Sequence, residues 1–219
     1  PASPRYAPSF VPGCLPLLCA MLPCLPATSK SPSGECGELI AAKRTQASRS
    51  RRPVMIEIVS ATRLSESDFW NKSALGLSLR RLAHDTRLVA RLAFANRRGL
   101  PDIFNARIAA PDGHDLLVFI HDDVWIDDYH LADRVIEGLK TYDVIGVAGN
   151  RRRIPNQPAW SFVDDKFTLD NKSNLTGSVA HGPRPLGQIS FFGAVPADCE
   201  LLDGVFLAAK KSALTASRV

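Results

Sequence analysis

Asp115-Leu116-Leu117-Val118-Phe119-Ile120-His121-Asp122-Asp123-Val124-Trp125-Ile126-Asp127-Asp128 holds the sharpest contrast in the chain. Five consecutive apolar residues, Leu116 to Ile120, read as a strand covered on both faces, and the polarity reverses at His121, Asp122 and Asp123. Open α/β sheets place ligand and metal sites at the carboxyl edge of such strands. The stretch therefore predicts a buried strand that presents acidic groups to a divalent cation and a phosphorylated ligand.

The flanking segments repeat the alternation of strand and helix. Ile56 to Ala61 alternates around Glu57 and predicts a strand, and Ser65 with Asp68 three residues on opens a helix whose face is Leu75, Leu79 and Leu82. Leu88 to Ala95 predicts a second strand, and Pro101 suits the first residue of a helix running to about Ala110. After the Leu116–Ile120 strand, Asp127 and Asp128 suit the positive end of a helix with Leu131, Val135 and Leu139 on its buried side. Asp143 to Ala148 predicts a fourth strand. Residues 150–187 read as polar loop, with pattern returning at Gln188 to Val195 and Leu201 to Ala209. The order predicts an α/β fold with a mainly parallel sheet flanked by helices.

Charge divides the chain unevenly. Residues 1–54 hold seven of the 27 basic groups and two of the 22 acidic ones, so the remaining 165 residues carry 20 of each. A neutral core lacks the broad basic surface that nucleic-acid binding requires. The first 54 residues also hold nine of the 16 prolines and four of the five cysteines: Cys14, Cys19, Cys24 and Cys36. Their spacing matches no common zinc pattern, and the reading is no disulfide framework and a reducing compartment. Four prolines interrupt the apolar run 10–27, which makes it a poor membrane span; a signal peptide is the rival reading. Residues 1–54 are expected to be a disordered Pro/Cys/Arg-rich tail, with Met55 as a candidate native start.

Several residues could carry chemistry. Asp122 and Asp123 are hard oxygen ligands of the type Mg²⁺ and Mn²⁺ prefer, with His121 as a third ligand or an orienting group. Asp127 and Asp128 fit a solvated helix cap better. His84, His114, His130 and His181 show no spacing that would complete a metal-dependent phosphohydrolase. Gly99-Leu100-Pro101 opens a helix whose amides could receive phosphate oxygens, with Arg97 and Arg98 beside it. Arg151-Arg152-Arg153 could clamp an anion or sit as a solvated loop. Ser65, Ser190 and Cys199 lack a nearby base, which argues against nucleophilic catalysis.

Taken together, Asn96-Arg97-Arg98-Gly99-Leu100, Asn105, Phe119 to Ile126 and Leu202-Asp203-Gly204-Val205-Phe206-Leu207-Ala208 resemble a family-2-like nucleotide-diphospho-sugar glycosyltransferase of the GT-A fold. The resemblance spans about Met55 to Leu214 and implies a role for each matching position. Ala61, Thr62 and Arg63 would lie beside the nucleotide, and Asn96, Gly99, Leu100, Asn105 and Asp122 would line the donor pocket. Asp123 would bind Mn²⁺ or Mg²⁺ with His121 in place of the usual first aspartate. Asp203 and Gly204 would face the acceptor, whether glycan, lipid-linked or protein. The general base of such enzymes is expected downstream of Val219, so 55–219 reads as a GT-A-like domain truncated at its C-terminus.

A cytoplasmic setting is expected, free or at the inner face of the membrane, and the prolines of 10–27 and the neutral core predict no transmembrane segment and no nucleic-acid partner. Two alternatives stay open. One is a catalytically deficient nucleotide-sugar-binding module. The other is a nucleotidyltransferase, against which stands the absence of glycine in Val59-Ser60-Ala61-Thr62-Arg63-Leu64-Ser65.

Overall fold

The computed structural model describes residues 53–216 except Leu186, together with the strand Pro16–Leu18. That strand is β1; the rest of the expected tail up to residue 52 lies outside the described residues. The remaining order is β2 (Ile56–Ala61), α1 (Glu66–Lys72), α2 (Ala74–Arg81), β3 (Leu88–Ala93), α3 (Leu100–Ala109), β4 (Leu116–Ile120), β5 (Trp125–Ile126) and α4 (Leu131–Thr141). It continues with β6 (Val144–Gly146), β7 (Ala148–Asn150), β8 (Leu175–His181), β9 (Gln188–Gly193), β10 (Leu201–Leu202), β11 (Phe206–Lys210) and α5 (Lys211–Ala216).

The fold is α/β. One sheet runs β3-β2-β4-β11-β6, in which β3, β2 and β4 are parallel and β11 lies antiparallel to both β4 and β6. The sheet is therefore mixed around a parallel core, less uniformly parallel than the sequence order suggests. A second, antiparallel sheet joins β10, β7, β8 and β9. β1 pairs antiparallel with β8 and parallel with β5, with Leu17 opposite both Ala180 and Trp125.

β4 forms where the apolar run predicts it, because helices cover both its faces. Val118 and Ile120 pack with Ile56, Ile58, Leu75, Val135 and Leu139, while Leu117 and Phe119 join Val59 under Phe104 and Ile108 of α3. The helix expected from Ser65 to Leu82 is broken in two at Ser73. Its hydroxyl donates to the Phe69 carbonyl at 2.9 Å and accepts the Gly76 N–H at 2.8 Å, so one residue ends α1 and caps α2. A side chain at Gly76 would collide with the Phe69 carbonyl, which is why glycine occupies this corner. The α4 helix starts at Leu131, three residues after Asp128, so Asp127 and Asp128 lie ahead of its first turn.

The chain crosses between sheets inside segments that read as single strands. The expected Asp143–Ala148 strand divides at Val147 into β6 of the first sheet and β7 of the second. Likewise Leu201 to Ala209 divides into β10 and β11 around the Asp203-Gly204 turn. β8 lies within the segment expected to be loop; its Thr, Gly and Ser residues hide a largely buried strand.

Glu57, in the middle of β2, is fully buried. Arg107 of α3 grips it through both Nε and Nη2, the His114 N–H donates to it at 3.1 Å, and Arg91 of β3 stands 3.7 Å away. Burial pushes the Glu57 carboxyl up, but the Arg107 and His114 bonds and the two guanidinium charges outweigh it and hold the group below its ordinary value. Its stabilising contribution is thus full above the ordinary glutamate value and is lost as pH falls through the depressed one. Glu57→Ala leaves Arg107 without its buried partner and is expected to cost about 3–5 kcal/mol. In thermal unfolding at pH 7 this should appear as a Tm lowered by roughly 10 °C, with the gap to the parent closing in acid.

Candidate functional site

The parallel core aligns three strand ends. Ala61 pairs with Ala93, and two residues beyond the Val59–Phe119 pair stand Ala61 and His121. Adjacent strands lie about 4.8 Å apart, so the segments leaving β2, β3 and β4 emerge side by side. From β2 come Thr62 and Arg63, from β3 comes Asn96, and from β4 come Asp122 and Asp123.

β11 brings the fourth segment. Because it runs antiparallel to β4, the turn ahead of it lies at the same edge, and the His121 N–H donates to the Val205 carbonyl at 3.3 Å. Asp203 holds this turn: its N–H donates to Ala148 O at 2.9 Å and its Oδ1 accepts the Val205 N–H at 3.1 Å. Gly204 is exposed, with open space where a side chain would be. The segment that follows β4 and the Asp203-Gly204 turn therefore meet at one edge through the His121–Val205 backbone bond.

Residues assigned to the donor side divide. Ala61 and Thr62 are buried, and Arg63 is exposed. The Thr62 hydroxyl accepts the Leu64 N–H, and its carbonyl accepts the Asn96 N–H at 2.8 Å, tying the β2 and β3 ends together. The Asn96 side chain closes on its own loop, bonding both N–H and carbonyl of Arg98. Gly99 and Leu100 begin α3, where the Gly99 carbonyl accepts Asp102 N–H at 3.2 Å. Asn105 is exposed on α3. Of the neighbouring arginines, Arg98 approaches Asp102 at 3.9 Å, while Arg152 is committed to the buried Asp170 through two bonds of 2.5 and 3.0 Å.

α2 holds the acidic segment in place, a role absent from the sequence reading. Its Leu75 N–H donates to Asp122 O at 3.2 Å, the Ser78 hydroxyl accepts Ile126 N–H at 3.0 Å, and Arg81 donates to Ile126 O at 3.0 Å. The Arg81 guanidinium also lies over the Trp125 ring, 5.7 Å from its centre. The only hint in the sequence is a serine set inside the leucine stripe of α2.

Against this tethered backbone, Asp123 Oδ1 is buried with no hydrogen-bond partner. Burial pushes the carboxyl above its ordinary value; the His121 charge pulls it back and the Asp122 charge adds to the rise. Among the described residues no group of three or more His, Cys, Asp or Glu side chains is placed to hold a metal ion. The donor set at this edge is thus a hard carboxylate oxygen without a partner, with a histidine two residues before it in the chain, which fits a cation whose other ligands come from phosphate and water.

No protein-family model matches the chain, and a search of the curated proteins gives no significant match.

A raised carboxyl pKa favours the neutral form in the folded state, a contribution present below the unfolded value and lost as pH rises through the folded one. Asp123→Asn is therefore expected to raise Tm at pH 8 without added metal and to change it little at pH 4. A lower Tm at pH 8 would show that the carboxylate is satisfied in solution.

Proposed function

We propose that the domain is a glycosyltransferase of GT-A type, moving a sugar from a nucleotide-diphospho-sugar donor to an acceptor hydroxyl. The observation that carries the reading is the buried, unpartnered Asp123 Oδ1 at the carboxyl edge of the parallel core. The motif set from Asn96 to Ala208 supports it, as does the hydrogen bond that joins His121 to Val205, two residues after Asp203. Bound Mn²⁺ or Mg²⁺ would neutralise the leaving diphosphate.

Each residue then has a task. Asp123 and His121 would hold the cation, and Asp122 would line the donor pocket, its backbone fixed by α2. Ala61, Thr62 and Arg63 would border the nucleotide, with Arg63 exposed and able to reach an anionic group. Gly99 and Leu100 would complete the donor side at the start of α3. Asp203 and Gly204 would face the acceptor, the open space at Gly204 admitting it. The finer fold assignment and a cytoplasmic setting belong to the same proposal. Among the described residues no helix is long and apolar enough to cross a membrane.

A second reading has one observation in its favour. The Asp203 carboxylate is already engaged by the Val205 N–H, which suits a turn-forming role better than proton abstraction from an acceptor. A domain that binds a nucleotide-sugar without transferring it would show this arrangement. Titration calorimetry with nucleoside diphosphates and Mn²⁺, alongside a donor-hydrolysis assay, separates the two: binding with turnover supports transfer, and binding alone supports the module. In either case Asp123→Ala is expected to remove Mn²⁺-dependent nucleotide binding, a loss of at least tenfold in affinity, or about 1.4 kcal/mol. Unchanged affinity would remove Asp123 from the site.

A further inference from the structure

Away from the acidic edge, a cavity of about 240 Å³ lies between α4 and the place where the chain passes from the first sheet to the second. Leu131 and Val135 of α4, Val147, Leu202, Phe206 and Val195 form its apolar wall. Of the charged groups that line it, Arg134 Nε stands 2.6 Å from Asp128 Oδ2, whose other oxygen accepts the His130 N–H at 2.8 Å, and Asp198 is exposed to solvent. The Thr176 hydroxyl donates to Ala194 O at 2.5 Å. Val144 and Val195, each 36% exposed, mark the opening to solvent.

We infer that this cavity binds an aliphatic chain. With Arg134 and Asp128 paired to each other and Asp198 turned to solvent, the apolar wall offers a charged group inside the cavity no partner for its lost hydration and favours a neutral hydrocarbon. A cavity of roughly 150 Å³ holds benzene, so this one accommodates a chain of roughly eight to ten carbons. The opening at Val144 and Val195 lets a polar head remain in water. The same chemistry belongs to a free apolar molecule and to the tail of a phosphorylated lipid. The inference goes beyond the transferase reading and needs neither metal nor nucleotide, although Leu202 in the wall adjoins Asp203 on the proposed acceptor side.

Cys199 lines the cavity and supplies the reporter. It is a free thiol that burial makes slower to ionise, so alkylation by iodoacetamide at pH 8.5 can be followed at its peptide by mass spectrometry, separately from the other cysteines of the full chain. 1-Octanol is expected to slow the reaction saturably, by about fivefold at about four times its Kd, while 1,4-butanediol leaves it unchanged. Octyl phosphate is the second arm: stronger protection than octanol assigns the cavity to the tail of a phosphorylated lipid, and weaker protection to a free neutral molecule. Val195→Glu and, independently, Val144→Glu should abolish protection with Tm unchanged. Absence of saturable protection by both octyl compounds in the parent protein overturns the inference, as does full protection in both variants.

Discussion

A carboxylate buried in β2, the middle strand of the parallel core, governs how this chain folds. Glu57 lies in β2 with no exposure to water, and an isolated charge there would be far costlier than any one apolar contact could offset. The cost falls only when Arg107 arrives from α3, fifty residues later, and grips both oxygens. That bond fixes how α3 seats on the sheet, with Phe104 and Ile108 against Val59, Leu117 and Phe119. The His114 N–H on the same carboxylate fixes the chain just ahead of β4. The edge strand β3, its neighbour β2, the helix α3 and the incoming strand β4 are thus joined at one group, whose removal is felt in all four.

The edge that carries the candidate site inherits this order. With β2 and β4 locked in register, Ala61 and His121 stand level, and whatever follows each strand shares one surface. α2 then restrains the acidic segment through three backbone bonds, to Asp122 and at both groups of Ile126. These bonds hold Asp123 where its Oδ1 has no partner, so stability is sacrificed at the point where chemistry is proposed. Proteins concentrate such local deficits at functional positions, supported by well-satisfied surroundings. Asp170 is the contrasting case. More fully buried than Asp123, it is bonded by Arg152, Asn150, Asn174 and the Asn171 N–H, and this full satisfaction marks it as structural.

Much of the first sheet was legible in the sequence because its strands are short apolar runs bounded by polar residues. β4 matches its run from Leu116 to Ile120, and Gly99-Leu100-Pro101 marks the start of α3. Where hydrophobicity continued across a change of partner, the reading failed. Val147 is as apolar as its neighbours, and nothing local announces that the chain leaves one sheet for the other there. β8 was hidden for the opposite reason: its burial comes from tertiary packing of Thr, Gly and Ser residues with weak strand character. At the candidate site, Asp122 and Asp123 were legible as a polarity reversal, whereas Asp203 entered through the family resemblance alone and its turn lies inside a segment that reads as one strand. The supporting Ser78 and Arg81 were not legible, since their partners lie more than forty residues away.

Under the proposed function, the composition of the edge has a thermodynamic consequence. His121 stands where such enzymes carry a first aspartate, so the pair closest to the proposed cation holds one carboxylate where two would be usual. No described cluster of three or more ligating side chains makes up the difference. A divalent ion held by one carboxylate and an imidazole keeps part of its charge and most of its water, and the protein alone binds it weakly. A diphosphate supplies both the missing oxygens and the missing negative charge. Its arrival therefore tightens the cation, and linkage requires the cation to tighten the diphosphate by the same factor. On that reading, a histidine in place of the first aspartate would trade a standing metal site for one assembled together with the donor, and occupancy of the edge would depend on the presence of substrate.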